Sequence, residues 1–211
     1  MLRFIETIKL LDGKFYRLEF HQNRIDKVFE DYFKEKAKIH LKEYLYALPF
    51  PQKGLYKCRI IFDSRIQKLE YIPYKLRKIC SLRLLETDIK TLAYKKENRS
   101  KLNNAFAHRG NCDDVLLLKN GLVTDTSFCN VAFFDGNTWV TPRIPLVYGV
   151  HRAQLLRERK IIEKDIKTDE LTNFFSIRLF NAMIEFGECE LIHYDIRMYN
   201  DQISIYTPEF V

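Results

Sequence analysis

The chain has 211 residues, 46% of them hydrophobic, with only 7 glycines and 6 prolines. This length and composition exclude a disordered or low-complexity chain and suffice for one ordinary domain or two small lobes with a sizeable core. The formal charge of +7 permits nucleic acid or an anionic cofactor as a partner. Because basic residues are mixed with acids along the chain, we expect a solvated surface around a basic phosphate pocket, and no nucleic-acid face.

Membrane insertion and metal binding are not expected. No apolar run approaches the ~20 residues that a membrane-spanning helix needs, and charged residues interrupt the N-terminal segment, which makes it a poor signal peptide. The five cysteines are odd in number and include no CxxC pair, which is typical of reduced thiols in the cytoplasm. The five histidines, His193 among them, have no metal-ligand spacing. We therefore expect a cytoplasmic protein with no metal and no membrane partner.

The first 90 residues predict an α+β lobe. Residues 2–20 predict two strands around Asp12-Gly13, because Asp-Gly between apolar segments favours a hairpin turn. Apolar residues at helical spacing predict a helix from 19 to about 46. Three more apolar segments predict a meander of strands, at 55–62, 67–73 and 79–85.

The second half, residues 91–211, predicts a mixed β/α lobe. Its elements are expected to be a helix at 99–108, a strand at 115–118, a hairpin of 130–134 with 138–141, a helix from just after Gly149 to about 159, and strands at 160–166 and 176–186 around a helical turn at 169–174. Since no Gly/Ser-rich linker separates the halves, we expect them to pack against one another as one functional unit.

Two segments place basic residues where an anionic cofactor could use them. FIETIKLLDGKFYRLEFHQNRI (4–25) carries Arg24, whose planar fork of donors suits a phosphate; a surface pairing with Asp26 or Glu19 is the alternative. YKKENRSKLNNAF (94–106) has a lysine pair at a strand-to-helix junction. Desolvation and nearby cations would lower the pKa of such a lysine and free its amine to attack an aldehyde, although a lysine pair is more often exposed.

Three later segments supply an acid, a phosphate cradle and a polar strand residue. GLVTDTSFCNVAFFDGNTWVTP (121–142) carries Asp125, which could instead cap a turn. TPRIPLVYGVHRAQLLRE (141–158) begins a helix after Gly149, where free backbone N–H groups and the helix dipole favour phosphate. RLFNAMIEFGE (178–188) places Asn181 in an apolar strand, where its side chain could also satisfy a neighbouring backbone group.

In order and spacing, these five segments across residues 4–188 resemble the class IV aminotransferases. The resemblance implies a two-lobed α+β fold with pyridoxal 5'-phosphate between the lobes. It also selects Lys95 over Lys96 as the catalytic Schiff-base lysine, because only Lys95 has Asn98 three residues later. The cofactor-binding residues that it implies are Arg24, Lys95, Asp125, Ser127, Asn130, Val150, His151 and Asn181.

The resemblance also implies a role for each group. The arginine and the helix start hold the phosphate, and the acid pairs with the pyridine nitrogen, keeping it protonated so that the ring can act as an electron sink. This chain has Asp125 where the family pattern has Glu, and His151 where many members have Thr. The shorter Asp125 side chain would need its backbone closer to the ring nitrogen, or a water to bridge the gap. His151 could donate a hydrogen bond to the phosphate from its ring, or only from its backbone amide.

Three activities compete within the family: branched-chain transamination, D-amino-acid transamination, and cleavage of 4-amino-4-deoxychorismate to 4-aminobenzoate and pyruvate. The YK-x-x-[DN]-R-S and T-D-T-S phrases are most similar to the short lyase-like members, which favours a lyase of folate biosynthesis acting on a small-molecule amino substrate. The family also implies a homodimer. A basic nucleic-acid-binding module, or a degenerate member with little catalysis, remains as an alternative.

Overall fold

The computed structural model describes residues 2–91, 94–192, 194–199 and 202–207, so His193 lies outside the described residues. The described strands form three sheets. The first has the order β2-β1-β3-β4 and consists of β1 (Phe4–Leu11), β2 (Lys14–Phe15), β3 (Leu55–Phe62) and β4 (Ile66–Pro73). Both Asp12 and Gly13 have positive φ, at 46° and 75°, as the tight turn between β1 and β2 requires. The predicted hairpin is therefore confirmed, but its second strand is shorter than predicted: it ends at Phe15, and residues 18–20 belong to the helix that follows.

The helix predicted from 19 to about 46 is wrong as a single element. Helix α1 (Leu18–Val28) continues into a π-helical turn at Phe29–Phe33, and a separate α2 spans Leu41–Tyr46. Lys34 ends the first helix in the left-handed conformation, with φ 58°. The apolar stripe itself is confirmed, because Ile25 and Phe29 are buried in the core that α1 forms with the first sheet.

The second sheet has the order β13-β14-β5-β6-β7. It consists of β5 (Ser81–Glu86), β6 (Asp114–Lys119), β7 (Leu122–Thr126), β13 (Asp195–Tyr199) and β14 (Gln202–Tyr206). Strand β5 pairs with β6 and β14 and does not extend the β3-β4 pair, so the predicted three-stranded meander is wrong at its third member. Apolar patterning indicates a strand but not its partner. The division of the chain at residue 90 stays a prediction.

The third sheet has the order β10-β9-β8-β11-β12. It consists of β8 (Asn130–Phe134), β9 (Trp139–Pro142), β10 (Ile162–Lys164), β11 (Ser176–Phe180) and β12 (Glu190–Ile192). The predicted hairpin of β8 and β9 is confirmed. The strand predicted at 176–186 is shorter, because the Asn181 side chain accepts from Met183 N and Ile184 N and turns the chain.

The remaining helices lie where the sequence predicts them. They are α3 (Ser100–Ala107), α4 (Val150–Arg157) and a 3-10 turn at Thr168–Asn173. The second and third sheets share one core, in which Leu116, Val131 and Leu179 are fully buried. In the described part of the chain, we find no helix that is long and apolar enough to span a membrane.

Candidate active site

One cavity brings the chemically reactive side chains together. It is bounded by α1, the start of α3, the turn between β7 and β8, the loop before α4 and the turn after β11. Seven of the eight predicted cofactor-binding residues line it: Arg24, Lys95, Asp125, Ser127, Asn130, Val150 and Asn181. Further lining residues that the sequence did not single out as contacts include Lys96, Arg99, Thr126, Phe128, Leu146 and Ala182.

Lys95 is held against strand β1. Its Nζ donates to Thr7 Oγ1 at 2.9 Å, and its carbonyl accepts from Ile5 N at 2.9 Å. Burial, with the charges of Arg24 and Arg99, lowers the pKa of Lys95 to about 7. A substantial fraction of the amine is therefore unprotonated at neutral pH, which is the form that attacks a carbonyl carbon.

A buried carboxylate anchors Arg24. The guanidinium donates from Nε and Nη2 to the two oxygens of Glu6, each at 2.7 Å, and His21 bonds to the same carboxylate. Burial raises the pKa of Glu6, but Arg24 and His21 outweigh it and lower the pKa to about 2, so Glu6 is ionised. Arg24 is thus fixed by Glu6, in place of the surface partners Asp26 or Glu19, and lines the cavity.

Sequence reasoning missed Glu6, although a signal for it was present. Glu6 lies inside the apolar segment FIETIKLL, and its side chain is only 2% exposed. A buried carboxylate needs cationic or hydrogen-bonding partners, and the partners follow at His21 and Arg24. The strand thereby fixes the position of the arginine that the resemblance assigns to the phosphate.

Asp125 lies on β7 and is almost completely buried. One carboxylate oxygen accepts from Asn130 Nδ2 at 2.8 Å and the other from Val147 N at 2.8 Å. Burial outweighs these hydrogen bonds and raises the pKa of Asp125 to about 7. Within the described part of the chain, no lysine or arginine hydrogen-bonds to this carboxylate. A cationic group that enters the cavity would therefore favour its ionisation.

The loop before α4 approaches Asn130 too closely for any side chain at Gly149. The φ of Gly149 is −72°, which any residue can adopt, but an added Cβ would overlap the Asn130 side-chain oxygen. Asn130 also donates to Val147 O at 2.9 Å and so fixes this loop. Helix α4 begins at Val150, and its free N–H groups and dipole make this end of the cavity suitable for a phosphate.

The His151 side chain lies away from the cavity. Its Nε2 accepts from Arg17 at 3.0 Å, and its Nδ1 donates to Asn181 O at 2.9 Å. Burial and the charge of Arg17 lower the pKa of His151 to about 4, so the ring is neutral at neutral pH. Of the two modes of contact considered for His151, only the backbone amide is consistent with this arrangement.

Asn181 and Ser127 are fixed mainly by backbone contacts. Asn181 Nδ2 donates to Phe128 O at 3.2 Å, which joins the turn after β11 to the turn between β7 and β8. The carbonyl of Ser127 accepts from Arg99 at 2.7 Å. The two turns and the start of α3 are therefore connected around the cavity. Among the described residues, no group of three histidine, cysteine or acidic side chains is arranged to hold a metal ion.

Comparison with known proteins gives one family. The family model described as amino-transferase class IV matches residues 3–192. A protein from Haemophilus influenzae (strain ATCC 51907 / DSM 11121 / KW20 / Rd), described as "Uncharacterized protein", is 35% identical over 185 residues, which are 87% of this chain and 98% of that protein.

Solved structures share the fold. A protein from Haemophilus somnus 129pt, described as a "putative 4-amino-4-deoxychorismate lyase", superposes with a TM-score of 0.79 at 31% identity, over 87% of this chain and 97% of that one. A protein from Mycobacterium tuberculosis, described as "a hypothetical aminotransferase" in its PLP-bound form, has a TM-score of 0.67 at 15% identity, over 86% of this chain and 78% of that one. At that identity, the second comparison shows the fold alone.

Proposed function

The chain belongs to the class IV aminotransferase family, and on that premise we propose that it converts 4-amino-4-deoxychorismate into 4-aminobenzoate and pyruvate. It is a pyridoxal-phosphate-dependent enzyme with the fold of this family. The lyase reaction and the residue roles below are our proposals.

The cavity residues fit the three reactive parts of pyridoxal phosphate. Lys95 offers an amine of lowered pKa to the aldehyde. Asp125 offers a buried carboxylate, otherwise unpaired with a cation, to the protonated ring nitrogen. Arg24 and the amides of Val150 and His151 offer positive charge and N–H donors to the phosphate. Ser127, Asn130 and Asn181 would complete the cofactor-binding set by fixing the surrounding turns.

When bound, pyridoxal phosphate supplies an aldehyde that captures the substrate amine and a ring that withdraws electrons from the adjacent carbon. Lys95 then acts as the base, because its amine lies in the cavity with a pKa of about 7 and can accept the proton from that carbon. In the proposed lysis the ether C–O bond breaks, the six-membered ring becomes aromatic, and the released enolpyruvate takes up a proton to become pyruvate. Lys95 is the group available to return a proton.

The observation that carries the lyase assignment is the likeness to the Haemophilus somnus protein. It covers nearly all of both chains at 31% identity, which is more than a likeness of fold. The motif residues Lys95, Asn98, Arg99 and the segment Asp125–Ser127 lie at this cavity, which also supports the proposal. Lys95 would serve a transaminase equally well, so the reaction must be measured.

The test supplies purified holoenzyme with enzymatically generated 4-amino-4-deoxychorismate. We expect 4-aminobenzoate and pyruvate in equal amounts, and no product from Lys95→Ala. Lys96→Ala is the matched control, because it removes a neighbouring lysine without removing the proposed base. Absence of both products, together with amino transfer from a branched-chain or D-amino acid to a 2-oxo acid, would contradict the lyase and favour the aminotransferase.

The proposed enzyme acts on a small-molecule amino substrate, and we further propose a homodimer in the cytoplasm, without a nucleic-acid partner. The basic residues support a solvated surface, since many pair with acids: Arg157 with Glu19 and Arg178 with Glu190 are examples. Sedimentation of the holoenzyme tests the dimer. Salt-dependent binding of DNA or RNA by a colourless protein would contradict the enzyme assignment.

A further inference from the structure

The cavity contains more positive charge than the cofactor assignment uses. Arg24, Lys95, Lys96 and Arg99 line it, whereas Asp125 is its one acidic lining residue in the described part of the chain. Arg24 and Lys95 are assigned to the phosphate and the aldehyde. Lys96 and Arg99 have no role in that assignment, and an amino substrate with a carboxylate would bring an anion into the same cavity.

Arg99 is rigidly held at the start of α3. Its carbonyl accepts from Asn103 N at 2.8 Å in the first helical turn, and its guanidinium donates from Nη2 to Ser127 O at 2.7 Å. Among the described residues, the bond to Ser127 O is the one hydrogen bond of the Arg99 side chain. Its other N–H donors are not among the buried polar atoms that lack a partner. A guanidinium has five N–H donors in a fixed plane, so a pair of donors is left for a ligand.

The surroundings favour an anion at Arg99. The side chain is half-buried. Burial lowers the pKa of Arg99, and the charge of the buried Asp114 carboxylate opposes that shift. Partial removal from water strengthens a charge-assisted hydrogen bond, and a planar guanidinium matches both oxygens of a carboxylate. Lys96 offers a flexible point charge, and its backbone pairs with Phe4 of β1.

We propose that Arg99 binds a carboxylate of the amino substrate, which for the proposed lyase is the ring carboxylate that 4-aminobenzoate retains. This assignment rests on the proposed function. It gives the segment Lys95–Arg99 two tasks: the lysine reacts at the amine, and the arginine orients the molecule through its acid group. Holding both ends of a small substrate from one short segment limits its rotation in the cavity.

The test measures binding of two non-reacting ligands to the holoenzyme. 4-Aminobenzoate carries the carboxylate, and 4-aminobenzamide replaces it with a neutral amide of nearly the same shape. We expect wild type to prefer the acid and Arg99→Gln to lose about tenfold or more of its affinity for the acid, with little change for the amide. Lys101→Gln, on the exposed side of α3, makes the same change in charge and should keep the preference.

The variants also separate binding from folding and cofactor loading. Arg99→Lys should keep part of the preference, because it retains the charge without the fork. The visible absorption band of the cofactor should remain in every variant. Two results for Arg99→Gln would overturn the role of Arg99 while leaving the lyase intact. One is an unchanged preference for the acid, and the other is loss of the cofactor absorption band without loss of that preference. Loss of the preference in Lys96→Gln instead would assign the carboxylate to Lys96. Failure of wild type to bind 4-aminobenzoate would count against the lyase and against this assignment with it.

Discussion

At the scale of single residues, two groups in the cavity have pKa values displaced toward neutrality from opposite directions. Burial lowers the pKa of Lys95 to about 7 and raises that of Asp125 to about 7. Both shifts come mainly from desolvation, which disfavours the charged form of an amine and of an acid alike. Near neutral pH the amine and the acid are therefore each only partly ionised, and a cationic ring nitrogen would favour the carboxylate.

The raised pKa of Asp125 predicts that the folded state of the cofactor-free protein loses stability as the pH rises. Between about pH 4 and pH 7 the unfolded chain has lost this proton while the folded chain retains it, so its contribution lowers stability as the pH rises. Asp125→Asn removes the titration. We expect the variant to gain stability relative to wild type across this range, by an amount on the order of a few kcal/mol.

Urea unfolding of the cofactor-free proteins at pH 4.5 and pH 8 checks this expectation. Lys95 titrates in both proteins, so the difference between them isolates Asp125. Asp125→Glu is the second comparison, since it restores the acid of the family pattern and should keep the pH dependence. A stability difference between wild type and Asp125→Asn that does not change with pH would contradict the raised pKa.

At the scale of elements, the start of α4 depends on a close approach. Gly149→Ala would force the Asn130 side chain away, because a Cβ overlaps its oxygen. Asn130 would then lose its hydrogen bonds to Asp125 and Val147 O. We expect the dissociation constant for pyridoxal phosphate, measured by titrating the cofactor-free protein, to rise by about tenfold or more.

Ala153→Gly is the matched control for this prediction. It lies on the exposed side of the same helix and weakens α4 by about 1 kcal/mol through helix propensity. It leaves the cavity unchanged, so cofactor affinity should remain close to that of wild type. Equal losses of affinity in both variants would show that the stability of α4, and not the room beside Asn130, determines the binding.

Elements with a local turn signal could be predicted from the sequence. Turn chemistry located the β1-β2 hairpin and the start of α4, because Asp12-Gly13 and Gly149 are specified locally. It did not predict the break at Lys34, because a lysine carries no local signal for the left-handed conformation it adopts. Nor did it predict the parallel pairing of β5 with β6, which depends on a distant contact. Motif order found seven lining residues, yet Glu6 and Arg99 acquire their partners only in the fold.

At the scale of the whole molecule, one carboxylate joins the first sheet to the cavity wall. Glu185, in the turn after β11, pairs with Lys9 of β1 at 2.9 Å and with Arg17 at the start of α1. Arg17 also donates to Gln154 of α4 at 2.6 Å. The side chains of Lys9 and Arg17 are only 5% and 7% exposed, so loss of Glu185 would leave two buried cations without their carboxylate.

We expect Glu185→Gln to lower the free energy of unfolding by on the order of 2–3 kcal/mol, because breaking a buried pair leaves uncompensated charge. Glu19→Gln is the control: its pair with Arg157 also joins α1 to α4, but both side chains are more than half exposed, and such pairs contribute roughly 0–1 kcal/mol.

The effect of Glu185→Gln should depend on pH. Burial raises the pKa of Glu185, but Arg17 and Lys9 outweigh it and lower the pKa to about 2 from an ordinary 4.5. The stabilisation is therefore present above pH 4.5 and is lost as the pH falls toward 2. Denaturant unfolding at pH 7 and pH 3 measures this stabilisation. Equal losses of unfolding free energy in Glu185→Gln and Glu19→Gln at pH 7 would contradict the larger role of Glu185.

Lys95, and not its neighbour Lys96, is the lysine that we propose to hold the cofactor. Borohydride reduction of the holoenzyme followed by peptide mass spectrometry tests it most directly, because reduction fixes the cofactor permanently to the lysine that carries it. We predict the phosphopyridoxyl group on Lys95, with loss of the visible absorption band. The group on Lys96, or on no lysine of the cavity, would contradict the assignment of Lys95.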